Sequence, residues 1–267
     1  MLIPLYNHER FINRALDSLL SSDCSQIELI IADDFSSDQS LSMAKTWLEQ
    51  HQDKFFRTVL IANERNLGIT ANLNNMIEQA SGEFISALAS DDMLAKHSID
   101  NQKRQLMCNA SIDFVFVNCA IIDIDDNIIK KSVVGELQSK LLASPTYTML
   151  NVLFNWNVIW SRLFARRKRF IEFGRYIEKH TIEDRWSALK IMNTHRYSYL
   201  HEIGYLYRFR GFEAHPAINS DDARYDFHRA ERLLHPEAKG LLYVLLWIRR
   251  LPFRTNRGKW PCRLNIT

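Results

Sequence analysis

EFISALASDD, from Glu83 to Asp92, is the stretch on which the reading of the chain turns. Phe84, Ile85, Ala87 and Leu88 form a mostly apolar run, the composition of an inner strand covered on both faces. Ser90, Asp91 and Asp92 then end it in polar residues. In open α/β sheets ligands bind outside the carboxyl ends of the strands. Two acids at such an end suit a hard divalent cation whose coordination is completed by substrate phosphates. A polar turn or a helix cap uses the same residue types, so the pair takes its meaning from its surroundings.

Upstream, Leu2 to Pro4 reads as a first strand and Glu9 to Ser21 as an amphipathic helix with Phe11, Ile12, Ala15, Leu16, Leu19 and Leu20 on one face. Ile27 to Ala32 is a second buried strand, ending in Asp33 and Asp34. SSDQSLSMAKTWLEQH follows as a capped helix, with Leu41, Ala44, Trp47 and Leu48 turned inward. A third strand at Arg57 to Ala62, a loop at Asn63 to Gly68 and a helix at Thr70 to Ala80 lead back to Glu83. This β-α-β-α-β-α-β order predicts a largely parallel sheet with helices on both faces.

Downstream the pattern predicts a helix at Ser98 to Cys108 and a strand at Phe114 to Ala120, with a second strand within Ile121 to Ile129. Leu141 to Trp156 reads as helical or irregular, Val158 to Phe164 as a strand, Ile182 to Met192 as a helix and Tyr197 to Tyr207 as a strand. Asp221 to Leu234 and Gly240 to Leu251 close the chain as helices. The expected organisation is one α/β domain over 1–220, divided into halves at 92/93, with a helical tail over 221–267.

The 267 residues are 46% hydrophobic and 24% charged, which is ordinary for a globular protein. Cys24, Cys108, Cys119 and Cys262 show neither metal spacing nor disulfide density, so reduced thiols in the cytoplasm are expected. No apolar run reaches the roughly 18 residues of a membrane span, and the first residues lack a signal-peptide pattern. The net charge of +3 conceals an asymmetry. Met1 to Trp160 holds 12 Lys and Arg against 20 Asp and Glu, whereas Ser161 to Thr267 holds 22 against 11. A basic second part points to anionic partners: a nucleotide diphosphate, lipid phosphates or an acidic membrane surface. No nucleic-acid-binding motif is present, and no such partner is expected.

Asp33/Asp34 and Asp91/Asp92 follow parallel strands and so reach the same sheet edge, where they can face one ligand. Glu183 and Asp184 open a helix, a position that favours negative charge without any ligand. Together these segments resemble the family 2 glycosyltransferases of the nucleotide-diphospho-sugar (GT-A) fold. The resemblance lies in PLYNHERFINRALDSLL (Pro4 to Leu20), IELIIADDFSSDQS (Ile27 to Ser40), NERNLGITANLNNMIEQASGEFISALASDD (Asn63 to Asp92), IEDRWSALKI (Ile182 to Ile191) and YLYRFRG (Tyr205 to Gly211). It covers roughly Leu2 to Arg210 and is absent from Tyr225 onward.

The resemblance implies a GT-A, Rossmann-like α/β/α sandwich and a role for each matching residue. Pro4, Tyr6, Asn7 and Glu9 match the first-strand loop against the base and ribose. Asp34 matches the acid that accepts from the uracil ring, and Asn66, Gly68 and Asn74 match the loop and helix beside the nucleotide. Asp91 and Asp92 match the motif that touches the ribose and holds Mn2+ or Mg2+ against the diphosphate. Many members read Asp-x-Asp-Asp there, whereas this chain has Ala89 at the first position. Asp184 matches the catalytic base of inverting members.

The expected activity is transfer of a sugar, with inversion, from a UDP-sugar or similar donor to a hydroxyl of a glycan or lipid-linked oligosaccharide in surface polysaccharide assembly. Two other readings stay open: a non-catalytic binding protein with this fold, and a metal-dependent nucleotidyltransferase, although PLYNHER has no glycine for a phosphate loop. Arg208 and Arg210 either reach the diphosphate or are exposed strand arginines. Trp156, Trp160 and Trp186 either stack on sugar or lie in the core. GLLYVLLWIRRLPFR (Gly240 to Arg254) is suited to peripheral contact with a membrane face, or to packing on the domain or a second copy.

Overall fold

The computed structural model describes residues 1–155, 163–172, 174, 176, 183–194 and 196–210, with isolated positions at 236, 238 and 243–245. The strands are β1 (Leu2–Leu5), β2 (Glu28–Asp33), β3 (Arg57–Ala62), β4 (Phe84–Ser86), β5 (Met93–Leu94), β6 (Phe114–Ile122), β7 (Ile128–Lys130), β8 (Leu163–Arg166) and β9 (Tyr197–Arg208). The helices are α1 (Ile12–Leu19), α2 (Ser40–His51), α3 (Ile69–Gln79), α4 (Ser98–Cys108), α5 (Glu136–Leu141), α6 (Pro145–Leu150), α7 (Arg167–Glu172) and α8 (Glu183–Met192).

β3, β2 and β1 pair in parallel. A parallel bridge between Leu2 and Ala87, with Leu88 N–H donating to Leu2 O at 2.9 Å, joins them to β4. Beyond β4 the order is β8-β6-β9-β5. β8 is antiparallel to both β4 and β6, and β6 is parallel to β9. β1, β2, β3, β4, β6 and β9 therefore run the same way, and their carboxyl ends lie along one edge of the sheet.

The core divides between the two faces because residues in a strand alternate sides. Ile3, Leu5, Leu29 and Ile31 pack with Ile12, Leu16, Leu19, Ala44 and Trp47 of α1 and α2. Leu2, Ile30 and Ala32 turn the other way, into the cluster with Leu73 and Met76 of α3 and Trp186 and Leu189 of α8. The buried Glu28 fixes the turn into β4: it accepts from Ser81 N and Oγ and from Gly82 N, and pairs with Arg57 at 2.6 Å.

Several boundaries differ from the sequence expectation. β6 continues to Ile122 instead of breaking after Ala120, because all nine of its residues are buried and pair with β9, with β8 at the start and β7 at the end of its other edge. β4 shrinks to three residues, since Ala87 makes only a bridge. Residues 156–162, and with them Trp156, Trp160 and the start of the expected strand at Val158, lie outside the described residues; β8 runs from Leu163 to Arg166. The tail from 221 likewise lies outside them apart from the isolated positions, where Ala238 is buried and Leu245 packs against the larger core.

Candidate functional site

The six parallel strands end at one edge, where Asp33/Asp34 lie at the end of β2 and Asp91/Asp92 follow β4; Glu183 and Asp184 open α8 instead. Two loops, after β1 and β2, are stitched together. Asn7 N–H donates to Ser36 Oγ at 2.9 Å while Asn7 Oδ1 accepts from Ser37 N at 2.8 Å. Glu9 N–H donates to Asp38 Oδ2 at 3.0 Å and Glu9 Oε2 accepts from Gln39 N at 2.9 Å. Glu9 thus satisfies one of the free N–H groups at the start of α2. Asn7 and Phe35 both have positive φ, at 51° and 66°. That is common for asparagine and costly for a bulky side chain. Tyr6 and Phe35 leave their rings 46% and 58% exposed at this edge, while Pro4 lies within β1 opposite Ala32.

Asp34 is buried and holds the loop after β3. Oδ1 accepts from Asn63 Nδ2 at 3.0 Å and Leu67 N at 2.8 Å, and Oδ2 accepts from Gly68 N at 2.9 Å. Gly68 reaches this position with φ 83°, a conformation open to glycine and strained for other residues. Asn66 Oδ1 accepts from the same N–H at 3.0 Å. A carboxylate has about four lone-pair sites, so among the described residues one site of Asp34, on Oδ2, accepts no hydrogen bond. Its neighbour Asp33 accepts from Ser36 N with Oδ2, and its buried Oδ1 has no hydrogen-bond partner among the described residues. Asn74 lies apart from this group: its amide brackets Tyr176, donating to O at 3.0 Å and accepting from N at 2.8 Å. The Tyr176 ring packs on Trp186 with centroids 6.1 Å apart. Trp186 is therefore core, and this contact seats α8 against α3. Asp184 stands in the first turn of α8.

Asp91 and Asp92 lie over the ends of β6 and β9, 8% and 1% exposed. Asp92 Oδ1 accepts from Arg208 N at 2.8 Å. Arg208 is an interior residue, not an exposed strand arginine: its Nε donates to Asp91 O at 2.6 Å and its Nη1 to Asp123 O at 2.7 Å. It also pairs with Asp126 at 2.6 Å and lies over the Phe11 ring at 4.8 Å. Arg210 Nε is 3.2 Å from Asp91 Oδ2, and Arg210 Nη1 is 3.1 Å from His8 Nε2. His8 Nδ1 is 2.7 Å from Ser90 Oγ.

His8, Asp123 and Asp126 were not legible as site residues. His8 sat inside a matched segment, but its partners are 82 and 202 positions away. The β6–β7 hairpin reaches the site through ion pairs of Asp125 with Arg10 and of Asp126 with Arg14. The acids fit a divalent cation in one respect: Asp91 Oδ1 accepts no hydrogen bond among the described residues, while Oδ2 faces Arg210. Among those residues no three acids, histidines or cysteines converge as a ready-made metal cage. A cation here therefore needs ligand oxygens or water to complete its shell.

Comparison with known proteins places this arrangement. The chain superposes on an S. aureus TarS fragment in complex with UDP with a TM-score of 0.68 at 21% identity, covering 96% of this chain and 72% of that one. It superposes on a Pyrobaculum calidifontis mannosyltransferase in complex with GDP-Man and Mn2+ with a TM-score of 0.60 at 16% identity, covering 93% and 78%. The fold is thus that of the GT-A glycosyltransferases. In sequence, the chain is 27% identical over 173 residues to the GalNAc(5)-diNAcBac-PP-undecaprenol β-1,3-glucosyltransferase of Campylobacter jejuni, covering 64% of this chain and 54% of that one. The chain spans about half the length of the first curated relatives it matches. The sequence model of Glycosyl transferase family 2 matches residues 1–174. A match over more than half of the chain does not rest on one acid pair, and the chain belongs to glycosyl transferase family 2.

Proposed function

We propose that the protein is an inverting glycosyltransferase that moves a sugar from a UDP-linked donor to a hydroxyl of a glycan carried on a lipid diphosphate. The observation that carries this reading is the gathering of Asp34, Asp91, Asp92, Arg208 and Arg210 at the carboxyl edge of the parallel strands in a family 2 chain. The donor class follows the UDP bound by the TarS fragment, and the acceptor class follows the name of the Campylobacter relative.

In this reading the exposed Tyr6 ring and the remaining lone pair of Asp34 meet the uracil, with Asn7, Glu9, Asn66 and Gly68 shaping the walls around it. Asp91 and Asp92 reach the ribose and would hold Mn2+ or Mg2+, a cation that would supply positive charge against the departing diphosphate. Asp184 takes the proton of the acceptor hydroxyl. That oxygen forms the new bond to the anomeric carbon as the bond to the phosphate oxygen breaks, and UDP leaves with the bonding electrons. An unperturbed aspartate, with a pKa of about 3.9, is ionised and ready at neutral pH. Asn74 contributes from a distance by fixing Tyr176, and through Trp186 the helix that carries Asp184. Contact of residues 240–254 with the cytoplasmic face of a membrane would bring a lipid-linked acceptor to this edge.

The test is calorimetry with UDP, with and without Mn2+, on the wild type and Asp91→Asn, followed by a donor screen with Asp184→Asn. Binding that weakens in Asp91→Asn, and transfer lost in Asp184→Asn with UDP affinity retained, are the expected results. A folded protein that binds no nucleoside diphosphate overturns the reading.

A further inference from the structure

The two arginines at the end of β9 are held in different ways. Arg208 is fully buried, and its Nε and Nη1 are spent on the carbonyls of Asp91 and Asp123. Arg210 is one-quarter exposed. Its Nε lies 3.2 Å from Asp91 Oδ2, yet it is buried and makes no hydrogen bond. The contact between Arg210 and Asp91 is therefore one of charge without the alignment that makes a charge-assisted hydrogen bond strong. The one hydrogen bond of the Arg210 guanidinium among the described residues joins Nη1 to His8 Nε2. A guanidinium only donates, so in this contact His8 Nε2 accepts; the same nitrogen lies 3.8 Å from Asp91 Oδ2, and Nδ1 lies 2.7 Å from Ser90 Oγ. The His8, Ser90 and Arg210 set thus brings a loosely held positive charge to one oxygen of Asp91.

We propose that Arg210 is a placeholder for the divalent cation at Asp91. It neutralises the carboxylate in the nucleotide-free protein, and it is displaced when the donor's diphosphate brings the cation in. This rests on the metal-assisted donor site proposed above. Arg208 is too well bonded to move, whereas Arg210 gives up one hydrogen bond and an unaligned ion pair. Two cations on the two oxygens of one carboxylate lie close enough to repel each other, so a metal at Asp91 Oδ1 and Arg210 at Oδ2 disfavour one another until the diphosphate supplies negative charge for both. Arg210 then turns from Asp91 towards that diphosphate. Metal and nucleotide consequently bind with positive coupling, and the coupling passes through Arg210.

Mn2+ binding, read from the electron paramagnetic resonance signal of the free ion, tests this without any turnover. The variants are Arg210→Met, Arg210→Gln and the charge-preserving Arg210→Lys, each with and without saturating UDP, and each checked by thermal melting. The wild type is expected to bind Mn2+ about tenfold or more tightly with UDP than without, within the usual range of coupling between two ligands. Both neutral variants should bind Mn2+ alone about tenfold more tightly than the wild type and lose most of the UDP effect, while Arg210→Lys stays near the wild type. By linkage, the gain in UDP affinity on adding Mn2+ must change by the same factor. Nucleotide-free Mn2+ affinity that is equal in the wild type and both neutral variants, with the UDP effect intact, overturns the placeholder and leaves the donor site standing. Normal UDP binding with no Mn2+ binding in any variant removes the metal, and the placeholder with it.

Discussion

Replacing Arg208 by methionine tests whether the buried guanidinium organises the acid loop. The substitution keeps a long side chain over Phe11 but removes the donors to Asp91 O and Asp123 O, which lie 2.6 and 2.7 Å from them. A hydrogen bond from a charged donor contributes roughly 1.5–3 kcal/mol, so losing two costs about 3–6 kcal/mol. The ion pair with Asp126 adds little. That carboxylate is 30% exposed and keeps Arg14 at 2.7 Å, and partly solvated pairs contribute on the order of 0–1 kcal/mol. Against these losses, the variant no longer keeps a guanidinium away from water, a desolvation cost that offsets part of any buried ion pair. The net is a destabilisation of about 2–4 kcal/mol, or a fall in Tm of roughly 4–16 °C for a domain of this size.

The functional consequence separates this account from a general loss of packing. Arg208 also orders Asp92 through its backbone N–H, which methionine retains. The variant should therefore keep Asp92 roughly placed while Asp91, released at its carbonyl, drifts. At a temperature well below its Tm, Arg208→Met should bind UDP in the presence of Mn2+ about tenfold or more weakly than the wild type, a loss of roughly 1.4 kcal/mol. The assay is a thermal melt followed by calorimetry on the same samples. A Tm within about 2 °C of the wild type, together with unchanged UDP affinity, would refute the reasoning.

Gly204→Ala should lower Tm, because its added methyl would lie 2.5 Å from both methyls of Val117 and 2.9 Å from Ser98 Oγ. Overpacking of this kind costs about 1–3 kcal/mol, and combining it with Val117→Ala should recover part of the loss. Glu28 makes stability depend on acid: burial alone would push its carboxyl up, but hydrogen bonds from Ser81, Arg57 and Gly82 outweigh this and hold it below the usual range. A group depressed in the folded state contributes above its unfolded pKa, about 4.3, and loses that contribution as pH falls through the folded value. Denaturant midpoints measured from pH 6 down to 3 should therefore fall less steeply in Glu28→Gln, which starts from lower stability at pH 6.

The parallel half of the sheet was legible because each strand is a short apolar run and each helix carries a stripe at the helical period. β3 matches its expected bounds, and α3 is displaced by a single residue. Gly68 was legible too, since a glycine at a helix start marks a backbone position with special φ, here 83°. What Asp34 does with its carboxylate was not. Its donors at Asn63, Leu67 and Gly68 lie 29 to 34 residues away, and no local pattern distinguishes an acid that binds a ligand from one that ties down a loop. The structural task of Asn74 was equally hidden: its amide brackets Tyr176, 102 residues on. Arg208 ends a strand of mostly half-buried residues. It becomes interior only because the hairpin from Asp123 and the acid loop close over it.

The same long-range pairing changes what the charge asymmetry means. An acidic first part and a basic second part suggested anionic partners outside the chain. Five of the second part's 22 basic residues pair instead with acids of the first part. Arg166 lies 3.7 Å from both Glu83 and Asp113, Arg169 lies 3.6 Å from Asp113, and Arg196 hydrogen-bonds the same carboxylate. At the opposite edge Arg208 pairs with Asp126 and Arg210 with Asp91. Acids of the first 160 residues and arginines of the remainder thus fasten β8 and β9 to the flanks of β6 and, through Glu83 and Asp91, to the first half of the chain. Among these arginines Arg210 is the least firmly held, with one hydrogen bond and one unaligned ion pair among the described residues.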